Sequence, residues 1–131
     1  MLRGSVVSSD HVKLALRRFP SLCTDGLYPY PGAVSQPIDP DQVEAAIAFL
    51  SILTPTNTPR IDSGSLKHFA ENWIRRHGLG SYISRGAITA AAVTLRLTIK
   101  RCGFWWECNS AVTIGVSRRD LRRVNIAEPK N

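Results

Sequence analysis

Residues 65–97 read SLKHFAENWIRRHGLGSYISRGAITAAAVTLRL, and the two halves of this stretch predict two helices joined by a short turn. In the first half Leu66, Phe69, Ala70, Trp73, Ile74 and His77 recur at helical spacing, the pattern of one apolar face. Gly78 follows where a left-handed carboxyl cap is needed. Ser63 or Ser65 is placed to cap the start, and Glu71 precedes Arg75 in the favourable order for a surface ion pair. The second half opens at Ser81 or Ser84 and runs toward Leu97. Its centre, Ala90, Ala91 and Ala92, favours helix and lets a neighbour approach closely. Ile83, Ala87, Ala91 and Leu95 fall on one side, and Ile88 and Ala92 broaden it. A turn as short as His77 to Gly80 makes the two helices spatial neighbours.

Upstream, Ser8, Ser9 and Asp10 offer caps to a helix carrying Val12, Leu16 and Phe19 on one face, which Pro20 ends. The stretch from Pro20 to Pro40 holds five of the eight prolines, with Gly26, Gly32, Tyr28 and Tyr30 among them. It reads either as an irregular loop held down by its tyrosines or as a linker. The next helix is announced by Asp39 as cap, Pro40 at the first position and Gln42 placed to reach back. Val43, Ile47 and Leu50 form its stripe, and Ala46, Phe49 and Leu53 widen it. Pro55 closes it, and Thr54 to Asp62 reads as a loop without structure of its own.

Downstream the period changes to two. Leu97 and Ile99 alternate with Thr98 and Lys100, and Val112, Ile114 and Val116 with Thr113 and Gly115, predicting a small hairpin. Phe104, Trp105 and Trp106 lie between and are expected to pack it onto helices. Ser117 and Asp120 have capping-box spacing at the start of a last short helix, with Leu121 and Val124 facing inward. The expected fold is mainly α (α+β): four to five helices with a small carboxyl-terminal two-stranded hairpin. It forms one domain over residues 1–131, with an irregular Pro/Gly-rich loop at 20–38.

A chain of 131 residues buries roughly two thirds of its unfolded surface, so no disulfide or metal staple is required. The longest apolar run, Val43 to Leu53, is half the length a bilayer demands. No secretory signal is readable at the amino end, and three irregularly spaced cysteines make a poor disulfide framework. The expected setting is a reducing cytoplasm, with no membrane partner.

Charge is the sharpest asymmetry. Residues 1–59 carry four basic and five acidic side chains, residues 60–131 thirteen and five, and thirteen of the seventeen cations are arginine. Such a field steers polyanions toward one part of the surface.

Three segments resemble a small family of uncharacterised proteins carried by bacterial plasmids and phages: SGSLKHFAENW from Ser63 to Trp73, YISRGAITAAA from Tyr82 to Ala92, and NSAVTIGVSRRDLR from Asn109 to Arg122. Lys67, His68, Gly86 and Asn109 are its most recognisable points, and Gly64 departs from the aromatic residue the pattern has there. The resemblance implies a mobile-element origin and an interaction role with nucleic acid or host machinery. It implies no activity.

The functional expectation is a small basic nucleic-acid-binding accessory protein, with DNA the probable partner. Its candidate contacts are Arg75, Arg76, Arg85, Arg118, Arg119, Arg122 and Arg123, because a guanidinium grips phosphate through two hydrogen bonds. The alternative is an inhibitor, adaptor or effector that docks the same basic face on an acidic protein, arginine and tryptophan being common hot-spot residues. A helix-turn-helix would use residues 65–77 to position and 81–97 to read. The latter is too aliphatic for a reading helix, so the short arginine helix is the better docking element, on phosphates rather than bases. Trp105 and Trp106 invite a stacking role on single strands, against which stands core packing. Catalytic signals are thin. Lys67, His68 and Glu71 share one helical face, and exposed side chains explain them more simply than a general base. Cys102 and Cys108 are a weak zinc signal, and no phosphate-cradling glycine loop is present. No enzyme activity, cofactor or metal is expected.

Overall fold

The computed structural model describes residues 3–24, 26, 36–101 and 112–127. In chain order they form α1 (Arg3–Arg18), α2 (Pro40–Leu50), β1 (Ile61–Asp62), α3 (Ser63–Arg76), α4 (Arg85–Thr94), β2 (Ile99–Arg101), β3 (Val112–Ile114) and α5 (Arg118–Ala127). The mainly helical α+β class expected from the sequence is the one observed. The expected hairpin is observed too, with β2 antiparallel to β3 and Ile99 opposite Ile114. Trp105, Trp106, Cys102, Cys108 and the tyrosines at 28 and 30 lie outside the described residues.

The alanine-rich α4 is the centre of the molecule. Every residue from Gly86 to Val93 is buried, and the helix packs against α1, α2 and α3. Small side chains make this possible, since three neighbours can close on a helix only where little projects from it. The same packing removes α4 from the role of reading helix, because a helix covered on all these sides has no face to offer a groove. Large apolar groups from the surrounding elements, Phe49, Leu50, Leu66, Ile74, Ile114 and Val116, complete the core. Each is worth roughly 1.5 to 3 kcal/mol on full burial.

Gly86 is fixed by close approach. A Cβ there would lie 1.9 Å from the Cys23 carbonyl oxygen, because Cys23 and Thr24 are laid directly on the first turn of α4. The Gly86 amide donates to Thr24 O at 3.2 Å across this contact.

Several local expectations are corrected. The first helix starts at Arg3, ahead of Ser8, Ser9 and Asp10. Val12 and Phe19 pack against the core as expected, but the fully buried residue is Ala15 and Leu16 is 36% exposed, since close packing on α4 favours the smaller residue. Asp62, rather than Ser63 or Ser65, caps α3, accepting from the Ser65 amide at 3.0 Å. Ser63 is instead buried, its hydroxyl accepting from Val112 N–H at 3.2 Å. Gln42 does not reach back to Asp39; its Oε1 accepts from the Ser84 amide at 2.9 Å, joining α2 to the cap of α4. Trp73 is only half-buried, tilted against Phe49 and stacked on His77 at 4.2 Å. The segment 54–62 is not wholly loop. Ile61 and Asp62 pair antiparallel with β3, making a three-stranded sheet in the order β1-β3-β2, and Pro55 bridges Val116.

Other signals hold. Asp39 and Ser84 cap α2 and α4, accepting from the Asp41 and Ala87 amides, and Ser117 accepts from the Asp120 amide at 3.1 Å. Gly78 takes φ +69°. Leu79 N–H then donates to Ile74 O at 2.9 Å and Gly78 N–H to Arg75 O at 3.4 Å, the paired bonds of a Schellman cap. No described helix is long and apolar enough to cross a membrane.

Candidate nucleic-acid interface and polar cleft

The basic surface is built on α5. Its inward side carries Asp120, Leu121 and Val124, while Arg118, Arg119, Arg122 and Arg123 are all exposed. The helical period places these four on one side, since the described inward residues, Asp120, Leu121 and Val124, fall on the other. Asp120 anchors the helix by accepting from the Thr54 amide, at 2.6 Å, and from Arg123 Nη2, at 3.1 Å. The Thr54 hydrogen bond first, and the Arg123 charge after it, hold its carboxyl below the usual aspartate range against the opposing effect of burial. Ser117 N–H donates to Thr54 O at 2.9 Å, tying the start of α5 to the same strap. Arg118 Nη2 donates to Arg60 O at 3.1 Å, which draws the segment before β1 beside the arginine face.

The seven arginines do not form one patch. Arg76 lines the seam between α3 and α5 with Phe69, Trp73, Leu121 and Val124, beside the inward side of α5. Arg75 turns to the other flank of α3, its Nε donating to Ser81 O at 3.3 Å and its Nη1 to Asn72 Oδ1 at 3.1 Å. Arg85 lies on that flank too, in a cleft with Lys67, His68 and Tyr82. The split follows from the helical period: residues 67, 68 and 75 face one flank of α3, and residues 69, 73 and 76 the other.

The carboxylates decide the outward field. Of the three described acidic residues between 60 and 127, Glu71 and Asp120 are 5% and 8% exposed and turned inward. The third, Asp62, is committed to the start of α3 through the amide and hydroxyl of Ser65 at 3.0 and 2.8 Å. Burial pushes the Asp62 carboxyl up, but the bonds from Ser65 and from the Asp62 and Gly64 amides hold it below the ordinary range. Among the described acidic residues of this half, only Asp120 is paired with an arginine of α5, Arg123, at 3.1 Å.

Glu71 is the largest correction at the site. It makes no pair with Arg75. Its Oε2 accepts from Lys67 Nζ and from the Ile83 amide, each at 3.1 Å, and its Oε1 lies 3.4 Å from His68 Nδ1. Burial raises this carboxyl, and the Ile83 amide, the Lys67 ammonium and His68 outweigh it, leaving it below the ordinary glutamate range. It is a staple between α3 and the segment entering α4. Such a residue is not the solvated side chain expected from sequence.

The cleft itself encloses about 430 Å³ between the starts of α3 and α4. Tyr82 stands at it 56% exposed, with Lys67 Nζ 4.9 Å from its ring centroid. From the sequence, Asp62 is only the end of a loop and Tyr82 only the start of a resembling segment. The signal for Asp62 was present, an acidic residue directly before Ser63 at the helix start.

No protein-family model, curated protein or solved structure matches the chain.

Proposed function

We propose that this protein binds nucleic acid, DNA in the first instance, through phosphate contacts made by the outward side of α5. The observation that carries the reading is the concentration of four exposed arginines on a helix whose one carboxylate, Asp120, is turned inward. Arg76 stands at the α3–α5 seam and is a secondary candidate contact. A helix whose described exposed side chains are guanidinium groups suits the sugar–phosphate backbone, which fixes position without reading sequence. Arg75 and Arg85, on the other flank of α3, are left out of this contact. A cytoplasmic accessory protein of a bacterial mobile element is the setting we propose for it.

The test is retention on immobilised duplex DNA against retention on polyglutamate, across a salt series. The proposal expects DNA to hold the protein to higher salt, because the duplex carries about one phosphate charge per 1.7 Å of its axis and releases condensed counterions when these are neutralised. Equal elution from both would overturn it and leave docking on an acidic protein as the better account.

A further inference from the structure

The polar cleft is not used by the α5 surface, and its lining points to a ligand of its own. Its volume, about 430 Å³, falls within the range of small-ligand sites. Tyr82 presents a ring whose one side is occupied by the Lys67 ammonium. That ammonium is itself held at 3.1 Å by Glu71, and the same carboxylate oxygen takes the amide of Ile83, the residue after Tyr82. The aromatic ring is therefore fixed from below and from its own backbone, while more than half of the residue stays exposed. A ring braced in this way loses little freedom when something stacks on its open side.

The other lining groups select what stacks. Arg85 supplies a guanidinium and crosses close to the backbone at Gly64, where a Cβ would lie 3.7 Å from its Nη2. Asp62, oriented by the start of α3, supplies a fixed carboxylate acceptor, and Ser65 and His68 complete the polar wall. A site for a bare anion has no use for a carboxylate, and a site for an acyl chain has no use for this polarity. A flat aromatic group with donors on its edge and a phosphate attached matches all of these elements.

We infer that the cleft seats one unpaired nucleotide of a bound single strand, its base on Tyr82, its edge toward Asp62 and its phosphate toward Arg85. The inference rests on the nucleic-acid reading above. The cleft and the α5 arginines lie on opposite flanks of α3, so a strand joining them passes around at least one helix, about 10–12 Å with side chains.

The experiment is fluorescence anisotropy of the full chain with a labelled single-stranded DNA 12-mer and with the matching duplex. The proteins compared are the wild type, Tyr82→Ala, Tyr82→Phe and the double variant Arg119→Gln/Arg122→Gln. Tyr82→Ala is expected to weaken single-strand binding at least about fivefold, the effect of losing one base–aromatic stack, with duplex affinity changed less than about twofold. Tyr82→Phe, which keeps the ring, retains single-strand affinity, and the arginine variant weakens both forms. If Tyr82→Ala leaves single-strand binding intact, or lowers both forms equally, while the arginine variant still weakens them, the cleft assignment is wrong and the phosphate reading stands. If the wild type binds neither form at low salt, the nucleic-acid reading fails and takes this inference with it. Binding of a nucleoside monophosphate in the cleft by a protein that ignores the 12-mer would also overturn the strand assignment.

Discussion

Replacing Glu71 with glutamine removes one negative charge from a site where three groups converge, and the structure gives the size of the effect. The carboxylate is 5% exposed, accepts from the buried Ile83 amide and pairs with Lys67, whose side chain is 14% exposed. Glutamine keeps an acceptor of the same shape, so the Ile83 bond survives as a neutral one and the charge-assisted part is lost, a cost of about 1 to 2 kcal/mol. Alanine leaves the Ile83 amide without a partner and Lys67 without a counter-charge. The expected cost is about 2 to 4 kcal/mol, short of the full penalty for a broken buried pair because Lys67 can swing into the cleft. Urea unfolding at neutral pH measures both. The acid dependence supplies a check that packing alone does not. The folded-state pKa of Glu71 lies below its ordinary value of 4.5, so its stabilisation is complete above that pH and is lost as pH falls through the folded value. The gap between wild type and Glu71→Gln should be full at pH 7 and close progressively below about pH 4. A gap that is absent at pH 7, or that stays constant into acid, would refute the assignment of Glu71 as a charged staple.

Two further substitutions test the packing. Gly86→Ala places a Cβ 1.9 Å from Cys23 O; Cys23 and Thr24 have to lift from α4, costing about 1 to 3 kcal/mol and the Gly86–Thr24 hydrogen bond with it, read as a lower Tm. Arg96 follows α4 at φ +58°, the left-handed position of a cap in which Leu97 N–H reaches Ala92 O. Arg96→Gly removes that strain and is expected to raise stability by about 0.5 to 1 kcal/mol in urea unfolding.

What could be read from the sequence was whatever depends on local spacing. The α3 stripe, the Gly78 cap, the central position of Ala90–Ala92 and the pairing of residues 99–101 with 112–114 all follow from patterns within a dozen or so residues. What escaped was decided between segments. Gln42 and Asp120 sit where a capping box predicts local bonds, yet Gln42 Oε1 serves Ser84 and Asp120 serves Thr54. Glu71 sits four residues before Arg75, yet the entry to α4 supplies a buried amide that a surface arginine cannot match. Ile61 and Asp62 are too few to show a strand period; only the edge of β3 makes them one. At the candidate interface the arginine helix was legible because its four cations fall within six residues. The assignment of Arg75 and Arg85 to the far flank depends on how α4 packs beside α3, which no spacing rule records.

The central claim is that the four guanidinium groups of α5 contact phosphate, and salt dependence tests it most directly. Each phosphate neutralised on duplex DNA contributes about 0.9 to the slope of log Kobs against log salt. Charge neutralisation of Arg118, Arg119, Arg122 and Arg123 to glutamine, in a variant shown by circular dichroism to stay folded, should therefore reduce that slope by roughly 3 to 4. A slope unchanged from the wild type would contradict the account.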